Sequence, residues 1–463
     1  MKPCEIVIVG HGAAGLCAAV SAAEAALEQG CKVSITVIER ASEAEHGGNS
    51  RWTPSYIRMP SVAGVADGFV EDIVRESSGR ADVHYFQRLA EDAGPSAAWL
   101  QAHGVTFHTP VYYLAAGPAR IQPVGGGAAV MGALLASAKR LGVVFHYGHA
   151  AQSLQLNEAG AVSGVVLDDG RKIKAHRVIL ASGGFAGNAD MLGEHFGPAA
   201  RSMQPISPGT RANTGAGIRM ALAVGALPAG DWQGMHAEPI DARSTGPAPV
   251  VLVYPYGIVV DQNGDRFFDE GAGLVHETWE HFARHIHMAL PGHQAYAILD
   301  SRLLDIPNYE RAIRSEVAPL RADSVADLAA LLKLPAERLQ ATLAAYNAAA
   351  TADTNHFDAT RTDGIHTAPS YAPPKSNWAR PITQPPYLAW PLIGAVAYTF
   401  GGIKTNANAQ VLGANGPLPG LYAAGEITGH FYGTAPNAVA MLRAIVFGRV
   451  AGRQAVLIQK NEG

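Results

Sequence analysis

At 463 residues, with 48% hydrophobic and 16% charged side chains, the chain is long enough for two or three packed domains and too apolar for extensive disorder. A net charge of −4 without a basic block argues against a nucleic-acid partner, and no apolar run reaches the ~18–20 residues of a membrane span. The first strand starts almost at Met1, which leaves no room for a signal peptide, and the three cysteines (Cys4, Cys17, Cys31) form no C-x-x-C pattern, so a reducing cytoplasm without disulfides is expected. The 18 histidines include a crowd at 276–287 that lacks ligand spacing, and no metal site is expected.

Taken in chain order, residues 5–9 read as a buried strand that delivers Gly10-His11-Gly12-Ala13-Ala14-Gly15 to an alanine-rich helix. A second strand over 33–38 ends in Glu39 and Arg40, and a loop of small polar residues follows, Gly47-Gly48-Asn49-Ser50-Arg51. Residues 68–105 read as helices. Gly125-Gly126-Gly127 precedes another helix that runs to about 141. Strands are expected over 143–147, 153–156 and 161–167, with a hairpin turn at Asp168-Asp169-Gly170-Arg171. Residues 177–185 read as another buried strand delivering a glycine loop, with Ala181-Ser182-Gly183-Gly184 in it, and Asn213-Thr214-Gly215-Ala216-Gly217 opens one more helix. Composition changes near 231. Residues 232–365 are mixed and read as an inserted second domain; the proline-dense stretch 369–391 leads back to strand and glycine-turn material, and an apolar helix over 439–452 closes the chain. The expected architecture is an α/β, doubly wound, Rossmann-like domain of the glutathione-reductase type (1–231 and 366–463) with an inserted α+β cap over 232–365.

The opening turn has a physical reading. Gly10 permits the tight turn, Gly12 lets backbone approach a pyrophosphate, and Gly15 lets the helix pack on the strand. The helix N-terminus offers unpaired N–H groups to phosphate, and Glu39 can accept ribose hydroxyls. Several further glycine turns, each after an apolar strand, converge at the carboxyl ends of the strands in such a fold. One turn would serve NAD; four or five, the last being Ala423-Ala424-Gly425-Glu426, suit a ligand as long as FAD.

These segments, together with Gly264-Asp265-Arg266-Phe267-Phe268-Asp269-Glu270 and Thr399-Phe400-Gly401-Gly402, occur in one order along nearly the whole chain. On them the chain resembles the FAD-dependent flavoproteins of the fumarate reductase, succinate dehydrogenase and 3-ketosteroid dehydrogenase family, with its overall look nearest the tricarballylate dehydrogenases. The resemblance implies a cap that closes substrate over flavin, and hydride transfer between flavin N5 and a carbon near a carboxylate or ketone. It also implies cofactor contacts at Gly10, Gly12, Ala13, Ala14, Gly15, Glu39, Arg40, Gly47, Gly48, Asn49, Ser50, Arg51, Ala151, Ala181, Ser182, Gly183, Gly184, Asn213, Thr214, Gly215, Gly217, Gly425, Glu426, Asn437, Ala438 and Val439. The family's covalent flavin link uses a histidine beside the second glycine loop; here that loop continues Ser50-Arg51-Trp52-Thr53, so non-covalent FAD is expected.

The departures narrow the chemistry. Carboxylate-reducing members place a catalytic arginine shortly after the Glu of R-F-x-[ND]-E, yet Glu270 is followed by Gly271-Ala272-Gly273-Leu274-Val275-His276-Glu277. Their H-T-x-G-G histidine aligns with Tyr398, and their late arginine or Y-P-G-G segment appears as Ala435-Pro436-Asn437-Ala438. With the guanidinium grips thinned, phenols remain. Tyr398 and Tyr432 are the expected acid–base groups, with His276 as a replacement proton carrier. Tyr254, Tyr256, Arg443 and the backbone of Ala438 are expected substrate contacts. The expected reaction is α,β-dehydrogenation, or reverse ene-reduction, of a carbonyl compound, with a cyclic or steroid-like ketone preferred to a polycarboxylate. The electrons go to a separate acceptor: a quinone, a partner protein or oxygen. A flavin hydroxylase or oxidase, and a non-catalytic FAD-binding subunit, are the rival readings.

Overall fold

The computed structural model describes residues 4–111, 114, 117–350 and 354–457. Its first sheet starts from β1 (Cys4–Val9), whose side chains are buried apart from Glu5. β1 pairs in parallel with β2 (Val33–Glu39), which pairs in parallel with β3 (Val144–Tyr147). On the other side β1 pairs with β4 (Arg177–Leu180), followed by residues Gly416–Ala423 and then the antiparallel edge Gln410–Gly413. β1 and the C-terminal strand therefore meet across β4, although more than 400 residues separate them in sequence.

Helix α1 (Ala13–Glu28) fits this sheet because alanine dominates it and its side chains from Ala13 to Ala23 are buried. The C-terminal helix, Ala440–Leu457, packs along it, and the approach is close enough to need glycine. A Cβ at Gly448 would lie 2.5 Å from the Ala14 carbonyl oxygen, and one at Gly452 would lie 2.2 Å from that of Ala18. We expect Gly452→Ala to cost about 1–3 kcal/mol by overpacking. A thermal melt of the purified variant checks this, and an unchanged Tm would mean that the two helices are not in such tight contact.

The second sheet is centred on the 13-residue strand Tyr387–Thr399. That strand pairs with Gln204–Pro205, Met235–Asp241, Gln294–Leu299 and Leu320–Ala322, and Ile258–Val260 lies beyond Gln294–Leu299. Helix α2 (Val275–Ala289) covers the sheet, burying Phe282, Ala283 and Ile286. The cap read from composition over 232–365 therefore shares its sheet with strands on both sides of those limits. A buried ionic knot holds this lobe. Arg266 forks onto Glu270 and donates to the carbonyls of Pro373 and Pro374, while Lys375 Nζ donates to the carbonyl of Pro255 at 2.6 Å. Arg266 thus ties two parts of the cap lobe to one another.

Candidate active site

Two adjoining cavities meet where the long central strand leaves the cap sheet. The first runs along the carboxyl ends of β1, β2 and β4. It is lined by Gly10, Gly12, Ala13, Ala14, Glu39, Arg40, Gly48, Asn49, Ser50, Ala151, Ala181, Ser182, Gly183, Asn213, Thr214, Gly217, Gly425 and Glu426, with Tyr398 and Arg443. Gly10 takes φ +108°, and a Cβ there would lie 2.4 Å from the Ala181 carbonyl oxygen, so the turn tolerates only glycine. Gly12 brings no side-chain cap to α1; Ala13 N donates to Ser50 Oγ at 3.1 Å, and the next amides of the first turn face an anion site. The Glu39 carboxylate accepts from the backbone N–H of His11 at 2.8 Å and of Ala41 at 2.7 Å; burial pushes its carboxyl up against those two bonds. Glu426 is half-buried and accepts from Thr399 N at 3.1 Å and Asn213 Nδ2 at 2.9 Å. Burial pushes its carboxyl up to about 7.

The second cavity, of about 600 Å³, lies between the cap and the first lobe and shares Asn49, Thr53, Tyr398, Ala440 and Met441 with the first. Trp52, Tyr56, Trp279 and Tyr398 give it aromatic walls. Among its described lining residues four arginines (Arg58, Arg75, Arg120, Arg314) stand against five acids (Asp72, Glu76, Glu238, Glu277, Glu280). Arg58 is held by Asp72 and by Glu76, each at 2.9 Å; Arg75 also pairs with Asp72, and Arg314 reaches Glu238 at 3.4 Å. Arg120 lies over the Tyr56 ring, 3.9 Å from its centroid. Three of the four arginines thus already carry carboxylates of this chain.

The sequence profile of the family described as FAD binding domain matches residues 5–440. The chain belongs to this family. It is 26% identical over 503 residues to the vinyl phenol reductase of Lactiplantibacillus plantarum, covering 97% of this chain and 96% of that protein. It is 27% identical over 479 residues to the fumarate reductase (cytochrome) of Shewanella frigidimarina, covering 99% and 78%. Among solved structures it is similar to 3-ketosteroid-Δ4-(5α)-dehydrogenase from Rhodococcus jostii RHA1, with a TM-score of 0.68 at 25% identity over 98% of each chain. The protein is an FAD-dependent oxidoreductase of the kind that acts on CH–CH and C=C bonds. Among the described residues of this flavoprotein no helix is long and apolar enough to cross a membrane.

Beside Tyr398 the flavoprotein carries an ionic cluster that the sequence reading missed. The His236 ring stacks on the Tyr398 ring, with centroids 4.7 Å apart and planes 20° apart. Its Nε2 meets Glu238 Oε1 at 3.0 Å, and its Nδ1 meets Glu280 Oε1 on α2. Burial alone would push this imidazole down. The charge of Glu280 and the bonds to both carboxylates outweigh burial and raise it to about 10. The stability that the pair contributes is then complete below the ordinary imidazole value of 6.5 and lost as pH rises through about 10. We expect Tm to fall more steeply between pH 7 and 10 in the wild type than in His236→Gln. Equal slopes would show that the imidazole is not charged. Tyr398 itself is held well above 10, first by burial and then by the charge of Glu280, so it stays a neutral phenol.

Not every residue named from sequence reaches a cavity. Tyr254 is buried in the cap core with its ring on Phe282, and its hydroxyl bonds Thr278 Oγ1 at 3.1 Å. Tyr256 donates to the Ala359 carbonyl at 2.7 Å and packs on Trp378. Both are cap supports. The Tyr432 hydroxyl accepts from Gly230 N at 3.3 Å, and the Arg80 guanidinium covers its ring; it lines neither cavity. Arg443 lines the first cavity instead of the second, because its helix faces the first lobe. It is 1% exposed, lies 3.7 Å over the Phe431 ring and donates to the Thr428 carbonyl. His276 does line the second cavity, and burial lowers its imidazole.

Among the expected cofactor contacts, Gly15, Gly47, Arg51, Gly184, Gly215 and Val439 support the first cavity without lining it. Gly15 admits the Gly10 carbonyl, Gly184 makes room for Glu426, and Gly215 makes room for Met191. Gly47 turns the loop at φ +111°, Arg51 ties that loop to the Ala44 carbonyl, and Val439 is core. Asn437 and Ala438 line the second cavity, not the first. The overlooked cluster had a legible signal. His236 and Glu238 sit two apart on one strand face, and His276 and Glu280 sit four apart on one helix face.

Proposed function

We propose that this flavoprotein dehydrogenates a carbonyl compound between its α and β carbons, or runs the reverse ene-reduction, and that the compound is a cyclic ketone or enone. The observation that carries this is the neutralised wall of the second cavity, where Arg58, Arg75 and Arg314 are already bound by carboxylates of the chain. A polycarboxylate would have to displace them, whereas a neutral ring fits between aromatic walls. The similarity to a 3-ketosteroid dehydrogenase supports this reading.

FAD would lie along the first cavity without a covalent link. Its pyrophosphate would rest on Gly12 and the N-terminus of α1, its ribose on Glu39, and the rest of the molecule against Ser50, Gly183, Asn213 and Gly425. When bound it supplies the two-electron acceptor and donor. Tyr398, neutral and placed at the junction, donates a hydrogen bond to the substrate oxygen as charge develops there. The aromatic walls orient the ring and exclude water. Electrons pass to a separate acceptor, and a sequence whose three cysteines form no C-x-x-C pattern supports a reducing, cytoplasmic setting. The test is anaerobic mixing of oxidised enzyme with saturated cyclic ketones and, separately, with saturated polycarboxylates. Bleaching of the flavin by ketones is expected. Bleaching by polycarboxylates alone would establish the second reading, which the similarity to a fumarate reductase favours.

A further inference from the structure

The α-proton of such a substrate needs a carrier, and the cap arginine of the carboxylate-reducing members is missing after Glu270. Helix α2 offers a replacement one turn beyond His276. Glu280 lines the substrate cavity with its side chain 12% exposed. His236 Nδ1 holds its Oε1. His236 takes Oε1 and not Oε2, and the residue lines the cavity. The charged and titratable groups around this carboxylate include His276 and Glu277 on its own helix, His236 and Glu238 on the neighbouring strand, Arg314 beyond Glu238, and Tyr398 stacked on His236. Trp279 covers the imidazole from the side, with ring centroids 6.0 Å apart.

We propose that Glu280 is the proton carrier of the reaction, and that His236 is the positioning residue that fixes its carboxylate. The proposal rests on the CH–CH reading above. In dehydrogenation the bond from the α carbon to hydrogen breaks and its proton goes to Glu280 Oε2. Its electron pair becomes the new π bond as hydride leaves the β carbon for the oxidised flavin. The substrate thus loses one proton to the carboxylate and one hydride, carrying both electrons, to the two-electron acceptor that bound FAD would supply. Reduction returns the same proton to the α carbon. The two groups beside the junction divide the work. Tyr398, held as a neutral phenol, donates a hydrogen bond and does not take up a proton, whereas a carboxyl group can both take up and return one. This also explains why the fork of an arginine is not needed at the reacting end.

The experiment uses holoenzyme reduced by light and mixed anaerobically with cyclohexenone and, separately, with acrylate, following recovery of the flavin band. Glu280→Gln is expected to slow recovery at least ~100-fold while flavin content and spectrum stay normal. Glu280→Asp should recover part of the rate. Because alkene reduction needs the proton on Glu280, the loss of wild-type rate toward high pH should vanish in Glu280→Gln, and His236→Gln should displace it, responses that a purely structural role would not give. If Glu280→Gln does not retain flavin, Glu280→Asp carries the test: a slowed rate at normal flavin content supports the proposal, and an unchanged rate overturns it. A wild type that reacts and a Glu280→Gln variant that reacts equally fast would overturn the carrier and leave the reaction class standing. A wild type that neither alkene reoxidises would overturn the reaction class and the carrier together.

Discussion

Gly12→Val is expected to give a folded protein that purifies colourless and binds added FAD at least ~100-fold more weakly, about 2.7 kcal/mol. Two glycines of one turn separate folding from cofactor binding. Gly12 has φ −79° and ψ −175°, which any residue adopts, and a Cβ there meets only Ser50 Oγ at 3.4 Å. The added methyl groups therefore stand in the first cavity, where a pyrophosphate must approach the backbone. Gly15 is different. Its Cβ would lie 2.0 Å from the Gly10 carbonyl oxygen, so Gly15→Val should not fold at all. Circular dichroism and flavin titration of the two variants check the pair. A fully yellow Gly12→Val protein would count against the pyrophosphate role.

Tyr398→Phe is expected to keep FAD but slow flavin reduction by substrate at least ~100-fold, the loss that follows removal of one well-placed donor. The substitution is clean because phenylalanine preserves the stack on His236 and deletes only the hydroxyl. Tyr398 is also the aromatic side chain common to both cavities. The measurement is single-turnover reduction under anaerobic conditions with saturating ketone. Rates equal to the wild type would remove Tyr398 from the chemistry and leave it a packing residue.

The cofactor half of the site was readable because phosphate recognition by backbone demands glycine at fixed places. Gly10, Gly12 and Glu39 announce themselves in a single strand–turn–helix unit. The substrate half was not, because its walls come from short pieces near residues 52–58, 72–76, 118–120, 236–238, 276–280 and 434–441. No periodicity within one piece says that it will face another. Aromatic residues misled for a related reason. Tyr254 and Tyr256 flank Pro255 and look poised for chemistry, yet the cap itself satisfies both hydroxyls. Arg443 misled because a cation in an apolar helix must point at something, and sequence does not tell which lobe that helix faces.

The central strand of the cap ends inside the other lobe. Thr399 receives Phe185 N on its hydroxyl and gives its own N–H to Glu426, so the last residue of the strand is anchored among the cofactor-side loops. A rigid body pinned at one end turns about that end. Any swing of the cap therefore has its fulcrum beside Tyr398, where displacement is smallest. The mouth can gape to exchange substrate while the phenol at the junction keeps its place, so opening and closing the gate need not disturb the alignment of the reacting atoms.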